Sequence, residues 1–390
     1  MRSLLVLVAL TSVASADNTD FSPQVRAMFR VAACGGDDAI PDKFPAKTID
    51  AHCQEMKAVY TSYKKAWADG VQEFVAKLRP SDVPTTVVYP FGGGDLSSAL
   101  AVFPDAKELT TISLEAAGDV RVIDSIPKGK LANDLDEITF DIRRLYKAAH
   151  STTKSLQQAS HSTLPGTIMM ALAGLAVHDM EPVSLRYFDF EPDGKLRYLS
   201  GEELDQRAAE LAAHKKDPPK KLPHFWYEQD SAFGNVEIAF RPRGNPNAPL
   251  RVYRHIVANL DDNHMTVDDR VLKHLRAKGK VSVMTKAASF LLWYDDFKQI
   301  REYLLTNVAW MISDASGLPP SFADPAGFEQ VTYGEFTGTY FTPEGKDRRD
   351  EFVKLWKNQP HHDLPFRFGY PDAEKHNHLM ITRPKPAGTK

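Results

Sequence analysis

With 43% apolar and 10% aromatic side chains over 390 residues, the chain can bury a substantial core, which excludes a disordered or purely linker-like protein. Acids and bases nearly cancel, 51 against 48, leaving a formal charge of -3. Phosphate neutralisation is then a poor basis for binding and no nucleic acid is expected as a partner; nor is a transmembrane segment, since no apolar run approaches the roughly 20 residues of a spanning helix.

Met1-Arg-Ser3, an apolar run over 4–10 and the small residues Ala14-Ser15-Ala16 have the three-part pattern of a secretory signal peptide, expected over 1–16 with cleavage near Ala16. The expected address is exported, periplasmic or secreted. Cys34 and Cys53 fit that address as a disulfide, because oxidising compartments favour pairing and only His52 stands nearby as a further metal ligand. The expected organisation is an N-terminal segment with the disulfide loop over 17–48, then a single mixed α/β domain over 49–390. A subdivision near 215–224 is the alternative, where Lys215-Lys-Asp-Pro-Pro-Lys-Lys221 reads as a solvated linker.

Apolar residues at three- and four-residue spacing predict a helix over 49–78, ended by Arg79-Pro80. The stretch 86–115 reads as strand, glycine-rich turn at Gly92-Gly-Gly94, short helix capped by Asp95, and a second strand ending at Glu115. A helix over 131–155 carries the chain back, so the expected fold is α/β: a mixed, partly parallel, Rossmann-like layered sheet with helical insertions and additional antiparallel hairpins.

Further along, 166–177 reads as a buried helix, 182–190 with 195–199 as a hairpin, and Ser200 with Glu203 as a capping box for a helix over 201–213. Residues 235–241 and 250–260 form a second antiparallel pair. Thr266 is expected to cap a helix over 267–277, and 281–312, dense in aromatics, reads as one long helix. A strand over 331–341, a helix over 346–358 and a strand over 379–382 complete the chain.

Glycines at a strand end let backbone N–H groups approach a ligand, so Gly92, Gly93, Gly94, Asp95 and Glu115 are the expected ligand-binding residues. This stretch resembles the glycine-rich first motif of class I S-adenosylmethionine-dependent methyltransferases, which implies a carboxylate at Glu115 for ribose hydroxyls; its glycines are contiguous where that family spaces them, and export separates the chain from a cytoplasmic cofactor. Tyr89-Pro-Phe-Gly-Gly-Gly-Asp95, Lys286-Ala-Ala-Ser289, Ser313-Asp-Ala-Ser-Gly-Leu-Pro-Pro320 and Leu364-Pro-Phe-Arg-Phe-Gly-Tyr370 together resemble a group of exported bacterial proteins, a likeness that implies an overall shape and no mechanism.

Lys286 and Ser289, neighbours on a helix face if 281 onward is helical, are candidates for a lysine-activated nucleophile, and Asp314 for a catalytic carboxylate. The plainer reading is a surface lysine, a packing serine and an aspartate satisfying a turn. His376 and His378, two apart, would face one way on a strand as metal ligands, against a plainer reading as surface histidines. The leading expectation is an exported protein that binds an unknown small-molecule or envelope ligand above Gly92 to Asp95, with no cofactor identified. Its rivals are an extracytoplasmic enzyme, methyltransferase-like or a Ser/Lys hydrolase, and a non-catalytic scaffold whose glycine turn is filled by its own side chains.

Overall fold

Among the described residues ten strands pair into one mixed sheet: β1 (Thr86–Pro90), β2 (Glu108–Ser113), β3 (Met180–Phe190), β4 (Leu196–Tyr198), β5 (Asn235–Pro242), β6 (Arg251–Val257), β7 (Val281–Thr285), β8 (Val308–Ser313), β9 (Phe328–Gly334) and β10 (His378–Pro384). The spatial order is β4-β3-β5-β6-β2-β1-β7-β8-β10-β9. The computed structural model describes residues 19–36, 38–148, 162–216, 232–338, 346–369 and 377–386; the expected signal peptide, most of the linker and His376 lie outside them.

Strands β6, β2, β1, β7 and β8 run parallel. They are covered on both faces, as parallel strands must be when helices make their crossovers. In β1, Val87 and Tyr89 enter one core with the Ser22–Val31, Ala46–Tyr63 and Gly166–Val177 helices, while Val88 enters a second with the Arg270–Ala277 and Lys298–Asn307 helices. In β8, Trp310 and Ile312 face the first core and Met311 the second. Antiparallel strands flank this block, β5-β3-β4 beyond β6 and β10-β9 beyond β8.

The helix expected over 49–78 is continuous but changes pitch: Ala46–Tyr63 is α-helical, Lys64–Ala68 is a π-turn, and Asp69–Leu78 is α-helical again. The capping box forms as expected, with Ser200 N–H donating to Glu203 (2.9 Å) and Glu203 N–H donating to the Ser200 hydroxyl (3.1 Å). Its helix runs on to Lys216, into the first residues of the expected linker. Thr266 is no cap: Asp261 caps Asp262–Val267, in whose last turn Thr266 lies, and Arg270–Ala277 starts afresh.

The largest departure lies over 281–312. Instead of one helix there is β7, a 3-10 segment Ala287–Trp293, the helix Lys298–Asn307, and β8. All five residues of β7 are buried, so its sequence carries no period-two polar signal to set it apart from a buried helix.

Cys34 and Cys53 form the disulfide, with Cα atoms 5.2 Å apart. It closes a short loop, for which chain entropy gives at most about 3 kcal/mol. The double variant Cys34→Ser/Cys53→Ser should lower the urea midpoint by no more than that stability; a larger loss would show that the pair supports the whole core rather than the N-terminal segment.

Candidate functional site

The strand order reverses at β1: the chain proceeds from β1 to β2 and β6 on one side, then to β7 and β8 on the other. Open parallel sheets leave a crevice at such a switch point, beyond the carboxyl ends of the strands. The glycine turn, Lys286 and Asp314 lie there, following β1, β7 and β8 respectively.

Two residues of the turn have left-handed backbone, Phe91 (φ 61°) and Gly93 (φ 54°). The turn is fixed by Gly92 N–H donating to Ile112 O (3.0 Å) and Asp95 N–H to Gly92 O (3.1 Å). Two of the glycines serve the protein's own packing. A Cβ on Gly92 would meet the Tyr89 ring at 2.5 Å, and one on Gly94 would meet Met170 Cβ at 3.0 Å and the Thr167 carbonyl at 3.2 Å. Asp95 caps the Leu96–Val102 helix, accepting from Ser98 N–H at 3.2 Å, so a carboxylate of the chain already occupies the position where an anion would meet that helix.

On the side of Tyr89 the strand ends enclose a charged cluster. Lys286 is 3% exposed, Asp95 1% and Asp314 0%. The Lys286 ammonium lies 5.1 Å from the ring centroids of both Trp67, on the π-turn, and Phe368. Trp67 is held by its indole N–H, which donates to the Arg367 carbonyl. Burial pushes the Lys286 ammonium below its usual range, with Asp95 and Asp314 opposing. Burial pushes the Asp95 carboxyl up, with Lys286 and hydrogen bonds from Ser98 and Tyr89 opposing. Burial thus works against the charged form of each group, and each opposes that effect on the other.

Lys286 therefore stands on no helix surface. It is extended (φ -147°, ψ 153°) at the end of β7, and the plainer reading of a surface lysine is corrected. Ser289 lies on the 3-10 segment, its hydroxyl against that of Ser316, which donates to Asp314. Asp314 also accepts from Ala287 N–H (3.1 Å) and Ser316 N–H (2.9 Å), so it holds both turns together. Ala287 between them is left-handed (φ 52°), a strained conformation for a residue with a Cβ. The cluster ties the ends of three strands, and these side chains present almost no surface to a substrate.

Glu115 belongs to the other side of the turn. With Gly93 it lines a cavity of about 80 Å³ whose remaining wall includes Phe91, Ile112, Leu260, Leu291 and Phe297. Glu115 is 9% exposed, and among the described residues both its carboxylate oxygens are buried without a hydrogen-bond partner. Beneath it, fully buried His255 on β6 donates from Nε2 to the Glu115 carbonyl at 2.7 Å, and Nδ1 faces the Thr111 hydroxyl at 3.2 Å. Burial pushes the His255 ring toward neutrality, while the Glu115 and Gly93 backbones oppose. His255 was not singled out from sequence; its signal is a polar residue at an inward position of Arg251–Val257.

Asp95, Lys286, Ser289 and Asp314 thus gather at the strand ends, while Glu115 and Gly93 share a separate cavity. His378 is on β10, buried against Phe336 (4.9 Å) and Trp356 (5.8 Å), which corrects its reading as a surface histidine. His376 lies outside the described residues, among which no three His, Cys, Asp or Glu side chains form a metal-binding group. Comparison with protein-family models, with curated proteins and with solved structures returns no match.

Proposed function

We propose that this is an exported binding protein that holds a small, mostly apolar ligand carrying one positive charge or hydrogen-bond donor in the cavity beside Glu115. The observation that carries the reading is Glu115, which lines an apolar-walled cavity at the sheet's switch point and whose carboxylate oxygens are buried without a hydrogen-bond partner among the described residues. A buried carboxylate without a partner is costly, and a ligand that donates to it offsets that cost.

The sequence β6-β2-β1-β7-β8-β10-β9, with antiparallel β10 set between two strands parallel to the rest, is also similar to the strand order of the class I methyltransferases that 86–115 resembles. That likeness supports the location of the site and no reaction, because fold alone carries none. The cavity of about 80 Å³ is far below the roughly 300–1,000 Å³ of pockets for drug-sized ligands and cofactors. Binding of S-adenosylmethionine is therefore not expected by calorimetry.

Isobutylammonium and the uncharged isobutanol are the probes, titrated with NMR detection. The amine should bind saturably, with shifts at Gly93 and Glu115, and Glu115→Gln should weaken it about tenfold, the scale of one charge-assisted hydrogen bond. Equal affinity for amine and alcohol, or an unchanged amine affinity in Glu115→Gln, would overturn the reading. Micromolar S-adenosylmethionine binding that Glu115→Ala abolishes would replace it with the methyltransferase one.

A further inference from the structure

We infer that a second cavity, beside the Cys34–Cys53 disulfide, binds an amphipathic organic anion: a phosphate or carboxylate head on an apolar body. The cavity encloses about 520 Å³, within the range of small-molecule pockets, and shares no lining residue with the one at Glu115.

Its rim is strongly cationic. Among the described residues Arg30, Lys57, Lys64 and Arg243 line it, against the carboxylate of Asp179. Lys64 (3.3 Å) and Arg243 (3.0 Å) share that carboxylate, which is itself 61% exposed. Arg30 donates through Nε to the Asp38 backbone carbonyl (2.8 Å), a contact that neutralises no charge. Lys57 is exposed and has no ion pair among the described residues. Among the described lining residues three positive charges are in excess, and a concavity so lined focuses its field on an anion.

A smaller part of the floor is apolar. Phe29 and Val177 are buried there, beside Met180 and the disulfide. The Phe29 ring lies flush on the backbone of Gly35, where a Cβ would come within 2.0 Å of it, so the disulfide loop and ring form one fixed surface. An inorganic anion would leave that surface uncovered and a neutral apolar molecule would leave the rim uncompensated. One ligand bearing both parts satisfies the cavity.

The probes are phenyl phosphate for the whole ligand, inorganic phosphate for the head and benzyl alcohol for the body, titrated at low ionic strength with NMR detection. Phenyl phosphate should bind saturably and about tenfold more tightly than either fragment, and added salt should weaken it. Lys57→Glu, at an exposed helix position, should weaken phenyl phosphate about tenfold, and Lys57→Glu/Lys64→Glu further, with an unchanged melting temperature in the single variant. Glu115→Gln should leave this binding untouched. No saturable binding of phenyl phosphate at millimolar concentration, the same affinity in Lys57→Glu, or inorganic phosphate bound as tightly as phenyl phosphate would overturn the inference.

Discussion

Lys286→Met should destabilise the fold by about 1–3 kcal/mol, the scale for leaving buried polar or charged groups uncompensated, because Asp95 and Asp314 lose the field of the cation. Methionine matches the length of the lysine stem, so packing against Trp67 and Phe368 is largely kept and the loss isolates the charge. Asp95 and Asp314 would stay buried with the cation gone. Burial already raises the Asp95 carboxyl and Lys286 opposes the rise, so the variant raises it further. A carboxyl whose folded value lies above its unfolded one costs stability when ionised, and that cost is relieved as pH falls through the folded value. The gap between wild type and Lys286→Met should therefore narrow from neutral pH toward pH 4, as read from urea midpoints. Lys286→Met/Asp95→Asn should recover part of the loss, giving a coupling energy in a double-mutant cycle. A loss below about 1 kcal/mol with no pH dependence would mean that Lys286 compensates neither carboxylate, since exposed pairs contribute on that scale.

How far this site could be read in the sequence depends on the range of the contacts that make it. The unit of β1, glycine turn, short helix and β2 is local, and the turn residues, the Asp95 cap and the parallel pairing follow as expected. The Ser200/Glu203 box and the antiparallel pairs are legible for the same reason. The strands β7 and β8 are not, because strands buried on both faces lack alternation, and Trp310-Met-Ile312 reads equally as helix core.

With β7 read as helix, Lys286 fell on a surface by default. Its burial depends on Trp67 and Phe368, both distant in sequence, and on a π-turn that no propensity marks. Glu115 and Asp95 are both legible as residues that follow the ends of β2 and β1. That they fall on opposite sides of the turn follows from the alternation of Tyr89 and Val88 between the two cores, which only the assembled sheet defines.

Gly174→Val should be the most damaging single change among the glycines of the central helices. The Gly166–Val177 helix crosses Leu96–Val102 so closely that a Cβ at Gly174 would lie 2.9 Å from Ser97 N, 3.3 Å from Ser97 Cα and 3.4 Å from Leu96 C. These are backbone atoms, so no rotamer change relieves the contact; one helix must move. Overpacking of this kind costs about 1–3 kcal/mol and occasionally more, whereas the gain in helix propensity over glycine is only a few tenths to ~0.5 kcal/mol. The displaced segment starts at the Asp95 cap and the glycine turn, so isobutylammonium binding at Glu115 should weaken along with the melting temperature. Gly70→Ala is the control: it lies in the Asp69–Leu78 helix, exposed, with nothing within 4 Å of an added Cβ. It should stabilise by about 0.5–1 kcal/mol and leave binding unchanged. If Gly174→Val melts with the wild type, the two helices are not in contact through Gly174, and the packing that shapes the glycine turn is other than described.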